Sequence, residues 1–130
     1  MDVAAAAFTS EAARLGTNAP HRDGRRTEYA CHVGLEDGRP IDVLSLSFLL
    51  DGLPPPVMLL CLPRFTWVPT LQLHTQFRAR PREGTQTVRL WHRTSHVVDG
   101  MLDTDCDAYD EDGRILATSR QLAMMMPIRK

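Results

Sequence analysis

Much that would mark a familiar chemistry is missing from this chain. It has three cysteines, Cys31, Cys61 and Cys106. Their number is odd, their spacing is wide and no CxxC pair occurs, so neither a zinc site nor a disulfide framework is indicated. Free thiols in a reducing cytosol are the simplest reading, and a cytoplasmic protein is expected. No apolar run reaches the ~18 residues that a membrane span needs. The N-terminus, MDVAAAAFTSEAARLG, carries Asp2 and Glu11 and lacks a basic start leading into an apolar core, so it makes a poor signal peptide. The closing PIRK is not a peroxisomal address. A formal net charge of -1 provides no global field for nucleic acid or an anionic membrane. There is no GxSxG elbow, no HExxH or paired histidine spacing, no P-loop and no GxGxxG, so a serine hydrolase, a metal site and a nucleotide-phosphate loop are not indicated. No internal repeat is present.

What is present suits one α+β domain. At 130 residues the chain is long enough to bury a core without staples. Its organising stretch is Thr66 to Arg80, TWVPTLQLHTQFRAR. From Thr70 it alternates, with Leu71, Leu73, Thr75, Phe77 and Ala79 on one side and Thr70, Gln72, His74, Gln76 and Arg78 on the other. This is the period of a half-buried strand, and Pro69 fits at its edge.

Residues 1–27 read as a peripheral, linker-like segment, with a helix over Ala4 to Leu15 and a polar loop after it, and residues 28–130 as the folded domain. EYACHVGL, from Glu28, predicts a first strand. A turn over residues 36–40 leads into a helix, IDVLSLSFLLDG. Ile41, Leu44, Phe48 and Leu49 share one face, which Leu46 and Leu50 widen, so the helix is expected to be buried on most sides. Gly52 and Pro54, Pro55 and Pro56 end it. Asp51 therefore falls in its last turn, where an acid is unfavourable with the helix dipole. An apolar connection over Val57 to Phe65 precedes the organising strand. Thr85 to Val98, Met101 to Tyr109 and Arg114 to Met125 are further strands, with Asp99-Gly100 and Asp110 to Gly113 as hairpin turns. The plan is one strand, one buried helix and a four-stranded meander, with the helix lying across an antiparallel sheet.

Few constellations could carry chemistry. Asp103, Asp105 and Asp107 invite a calcium loop, but Ala108 and Arg114 stand where that loop needs Gly and Glu, so they read as the wet face of a strand. Arg22, Arg25 and Arg26 form a small basic cluster, read first as a solvated loop and second as a phosphate contact. His74 sits mid-strand between Gln72 and Gln76, either as a hydrogen-bonded sheet residue or as a group lining a cleft and able to bind or activate water. Gln121 shares a strand face with Ala117, Ser119 and Ala123, small neighbours that leave room for a ligand or a water.

Three segments in this order, DGRPIDVLSLSFLLDGLPPP, WVPTLQLHTQFRARPREG and DAYDEDGRILATSRQLA, resemble the C-terminal half of the double hotdog proteins related to acyl-CoA thioesterase II. The resemblance covers roughly residues 28–124. It implies a hotdog fold, a curved antiparallel sheet wrapped around a central helix. It also implies an acyl-CoA thioester substrate and a water held by an Asp at the helix end, a hydroxyl on the long strand and a Gln on the last strand. The Asp falls on Asp51 and the Gln on Gln121. The hydroxyl position falls on His74, a departure. Thr75 next to it cannot simply substitute, because neighbouring strand residues face opposite ways. Thr75, Gln72 and Gln76 are the substrate-binding candidates. Asp51 would take a proton from the attacking water, Gln121 and neutral His74 would orient that water, and a backbone N–H would stabilise the oxyanion. No metal, cofactor or covalent intermediate is required. One hotdog leaves a sheet edge and an apolar helix face bare, so a homodimer or larger homo-oligomer is expected in place of the family's two halves. The alternative is a non-catalytic hotdog that binds acyl-CoA or serves in assembly. A hotdog hydratase is weaker still, because Asp42 near the helix start has no obvious His partner.

Overall fold

The structure is a computed structural model that describes residues 28–56 and 65–127. The N-terminal segment of residues 1–27, with its helix and Arg22, Arg25 and Arg26, lies outside the described residues, as do Cys61 and residues 57–64 of the apolar connection. The elements are β1 (Glu28–Gly34), α1 (Val43–Asp51), β2 (Phe65–Trp67), β3 (Thr70–Phe77), β4 (Thr87–Arg93), β5 (Val97–Val98), β6 (Met101–Tyr109), β7 (Ile115–Met124) and β8 (Met126–Pro127).

The main sheet is antiparallel in the order β1-β4-β6-β7-β3, with β5 paired to β6. The expected four-stranded meander is corrected here. β3 pairs with β7 rather than with β4, so it crosses to the far edge and the chain returns to β4 beside β1. The long strand expected over Thr85 to Val98 is also divided, into β4 and β5. Carboxylate Oδ1 of Asp103 accepts from the backbone N–H groups of Ser95 (3.1 Å) and His96 (3.0 Å), which ties the intervening turn to β6 instead of to a ladder. The Asp99-Gly100 turn has positive φ at both residues, 51° and 77°, as a two-residue hairpin connection requires.

α1 starts at a capping box. Asp42 Oδ1 accepts from the Ser45 N–H (2.8 Å) and Ser45 Oγ accepts from the Asp42 N–H (2.8 Å). Leu46, Leu49 and Leu50 face the sheet and pack in one cluster with Val33, Leu90, Ala108, Leu116 and Ala117. On β6 strict alternation buries Leu102, Thr104, Cys106 and Ala108 and turns the aspartates outward. The expected helix face is only half right. Leu44 and Phe48 point away from the core and are 80% and 48% exposed. A single sheet covers a single side of the helix, so the apolar residues on its other side remain bare.

Candidate functional site

The site is built where the end of α1 meets the start of β3 and the middle of β7. Asp51 is the last residue of α1, before the C-cap Gly52, and no basic residue stands in that last turn. The helix dipole disfavours a carboxylate there by about 0.3–1 kcal/mol. Two donors offset this. Gln121 Nε2 donates to Asp51 Oδ1 (3.0 Å) and Thr70 Oγ1 donates to the same oxygen (3.3 Å). Gln121 Nε2 also donates to Thr70 Oγ1, which closes a three-residue ring. Both donors converge on Oδ1, which leaves Oδ2 of Asp51 and Oε1 of Gln121 to accept from a further molecule. Asp51 and Thr70 are exposed and Gln121 is half-buried, so the ring opens to the outside.

Of the residues expected from the sequence, Asp51 and Gln121 are brought together and His74 is not. Cross-strand partners lie on one face of a sheet. Gln121 is opposite Leu73, and Ser119 is opposite Thr75. His74 is opposite Arg120, Gln72 is opposite Leu122 and Gln76 is opposite Thr118, which places all three on the other face. His74 therefore faces away from Asp51 and Gln121, the hydroxyl that meets them is that of Thr70, and Gln72 and Gln76 do not line the side that carries Asp51. Thr75 does share that side.

The cause is a register shift. Between Thr70 and Gln72 the β3 strand advances two residues while β7 moves only from Ala123 to Leu122. Leu71 is the extra residue of a bulge, which reverses the parity of everything before it. Strict alternation puts Thr70 with Gln72 and His74; the bulge turns it to the side of Leu73 and Thr75. Its position directly after Pro69, at a strand end where bulges concentrate, was the available signal.

The outward face of β6 is a network of ion pairs. Arg120 bonds Asp103 (2.9 Å), Arg93 bonds Asp107 (2.9 Å) and the Arg93 guanidinium lies 4.3 Å from the centre of the Trp91 ring. Burial pushes the Asp103 carboxyl up, but the His96 ring, two backbone N–H groups and Arg120 together hold it below the usual carboxylate range. Among the described residues no group of three or more His, Cys, Asp or Glu side chains could hold a metal ion. Asp42 is committed to its cap, with Ser45 Oγ also bonded to its carboxylate (2.9 Å).

The family model for the acyl-CoA thioesterase C-terminal domain matches residues 2–125. The chain belongs to this family. It is similar to a Thermobifida fusca protein assigned as thioesterase II, at 33% identity over 78% of this chain and 38% of that one, with a TM-score of 0.69. It is also similar to an Alicyclobacillus acidocaldarius protein of hot dog fold, at 26% identity over 80% of this chain and 40% of that one, with a TM-score of 0.71. The chain thus spans about two fifths of the length of these relatives. The fold is shared with smu.793 of Streptococcus mutans, whose structure holds acetyl CoA, at 14% identity over 81% of this chain and 86% of that one, with a TM-score of 0.63. Among curated proteins there is no match. The acyl-CoA thioesterase family and the hotdog fold, both implied by the three sequence segments, are thus established for this chain. No helix among the described residues is long and apolar enough to cross a membrane.

Proposed function

We propose that this domain hydrolyses acyl-CoA thioesters, with Asp51 as the base that takes a proton from the attacking water. The observation that carries the reading is the ring of Asp51, Thr70 and Gln121. Oδ2 of Asp51 and Oε1 of Gln121 accept the two hydrogens of one water, leaving its lone pair aimed at the thioester carbonyl. Thr70 fixes the carboxylate and the amide relative to each other, so it positions rather than reacts. Attack forms the tetrahedral intermediate, the C–S bond breaks and the thiolate leaves with the proton that Asp51 has taken. No covalent acyl-enzyme or cofactor is used.

Release of free thiol from short, medium and long acyl-CoAs by the purified chain tests this reading. Turnover supports it. A folded protein that turns over none of them overturns it in favour of an acyl-CoA-binding or assembly module. Within the ring, Thr70→Val is expected to lower kcat about tenfold, the scale for one hydrogen bond to a charged group. His74→Ala is expected to leave kcat within twofold. Comparable losses in the two variants would return the hydroxyl role to His74.

The active form in this proposal is a homodimer, of a cytoplasmic protein whose buried thiols Cys31 and Cys106 are free. β3 is an edge strand among the described residues. Leu71, Leu73 and Phe77 on it are exposed, as are Leu44 and Phe48 on the adjacent helix. A second copy pairing its β3 to this edge continues the sheet and covers the apolar residues in a closed twofold pair. Light scattering should give twice the 14.6 kDa of the chain. The double variant Leu44→Glu, Phe48→Glu should shift that mass toward the monomer, and a wild-type monomer at micromolar concentration would rule the pairing out.

A further inference from the structure

α1 runs antiparallel to β3. Its C-terminal end is bonded to Thr70 at the start of β3, while Val43 and Leu44 at its other end line one cleft with Phe77 and the residues that follow β3. That cleft, of about 890 Å³, is open and walled by Leu44, Phe77, Arg78, Arg80, Pro81 and Arg82. Its backbone is held in place. The Arg78 and Ala79 N–H groups donate to the Leu116 carbonyl at 2.7 and 3.1 Å, the Arg80 carbonyl accepts from the Arg114 guanidinium at 3.0 Å and the Ile41 N–H donates to the Thr85 carbonyl at 2.7 Å.

Two of its three arginines differ from most others. Arg39, Arg82, Arg93, Arg114 and Arg120 each pair with an aspartate. Arg78 and Arg80 have no ion pair among the described residues, and both side chains are exposed. Two acids line the same cleft, Asp42, whose carboxylate is bonded to Ser45, and Glu83, and neither pairs with Arg78 or Arg80. Two guanidinium groups on a braced backbone, without carboxylates of their own, form a receptor for phosphate oxygens.

Resting on the acyl-CoA reading above, we infer that Arg78 and Arg80 hold the phosphates of the nucleotide end of the substrate. The cleft and Asp51 lie at opposite ends of α1, about 13 Å of helix apart. Coenzyme A has the same two-ended form, with its phosphates at one end, its thioester at the other and a long arm with two amides and a hydroxyl between.

The test is Arg78→Gln, Arg80→Gln against the wild-type chain, by calorimetric titration with coenzyme A itself and by hydrolysis of three thioesters of one acyl group. Both positions are exposed, so the fold is unaffected. The double variant is expected to bind coenzyme A at least tenfold more weakly. It should show a raised KM with unchanged kcat for the acyl-CoA, and no change for the acyl-N-acetylcysteamine, which has no phosphate. Coenzyme A affinity within twofold of wild type overturns the inference. An equal loss on the acyl-phosphopantetheine, which has one phosphate and no nucleotide, overturns the nucleotide assignment. Arginine-dependent binding of coenzyme A by a chain that hydrolyses no acyl-CoA supports this inference and sinks the hydrolase reading. Hydrolysis with unaltered KM in the variant does the reverse.

Discussion

Asp51→Asn should hydrolyse acyl-CoA about a hundredfold to ten-thousandfold more slowly than the wild-type chain, the range that a positioned general base contributes. The amide retains the shape of the carboxylate. Its oxygen can still accept from Thr70 and Gln121, but its nitrogen cannot take the proton of the attacking water. The fold should not suffer. A carboxylate at the C-terminus of α1 opposes the helix dipole, and the neutral amide removes that term, so the melting temperature should stay level or rise by a degree or two. Loss of activity without loss of stability separates a base from a structural residue. Equal activity in the two proteins would mean that the water is held elsewhere, and lost activity with a markedly lower melting temperature would make Asp51 a structural residue.

A second large effect is expected in acid, and its source is His92. This side chain is only 2% exposed, stacks on Tyr29 with ring centres 5.1 Å apart and meets Cys106 Sγ at 3.3 Å from Nε2. Its Nδ1 is buried without a hydrogen-bond partner. Burial, with a smaller contribution from the Arg93 charge, pushes its pKa down from 6.5 to about 4. The unfolded chain therefore takes up a proton near pH 6.5 that the folded chain refuses until about pH 4. The stability contributed by neutral His92 is complete above pH 6.5 and is lost as the pH falls through this window. Between pH 7 and pH 4.5 the loss should be about 2–3 kcal/mol. Urea unfolding at these two values measures it. His92→Phe keeps a ring against Tyr29 and should flatten the slope. The lowered carboxyls of Asp103 and Asp110 titrate below the window, so they leave the comparison clear. An equal fall in wild type and variant would remove His92 as the cause.

The buried thiols follow the same physics. Desolvation pushes Cys31 up to about 11 and Cys106 higher, and the neighbouring Asp107 adds to the rise at Cys106. With His92 held neutral, the Cys106–His92 contact forms no thiolate and is a core contact rather than a nucleophile and its base. Sequence spacing gave no hint of this pair, because residues on β4 and β6 meet only through the register His92 to Cys106.

Local features of the sequence settled a good deal. Period-2 alternation in β6 placed Leu102, Cys106 and Ala108 inside and the three aspartates outside, because a pleated strand can bury only every second side chain. Gly52 and the prolines after it put Asp51 at the end of α1, since neither residue type continues a helix. The ordered segments around Asp51 and Gln121 gave the family. Tertiary structure decided the rest. It carried β3 across to β7, a pairing that loop composition does not encode. It left Leu44 and Phe48 bare, because an apolar helix face is buried only where a second layer meets it, and one sheet provides one layer. It also brought Thr70 rather than His74 to Asp51, through a single extra residue at Leu71 that reverses the strand's parity and leaves no mark in the alternation read from the sequence.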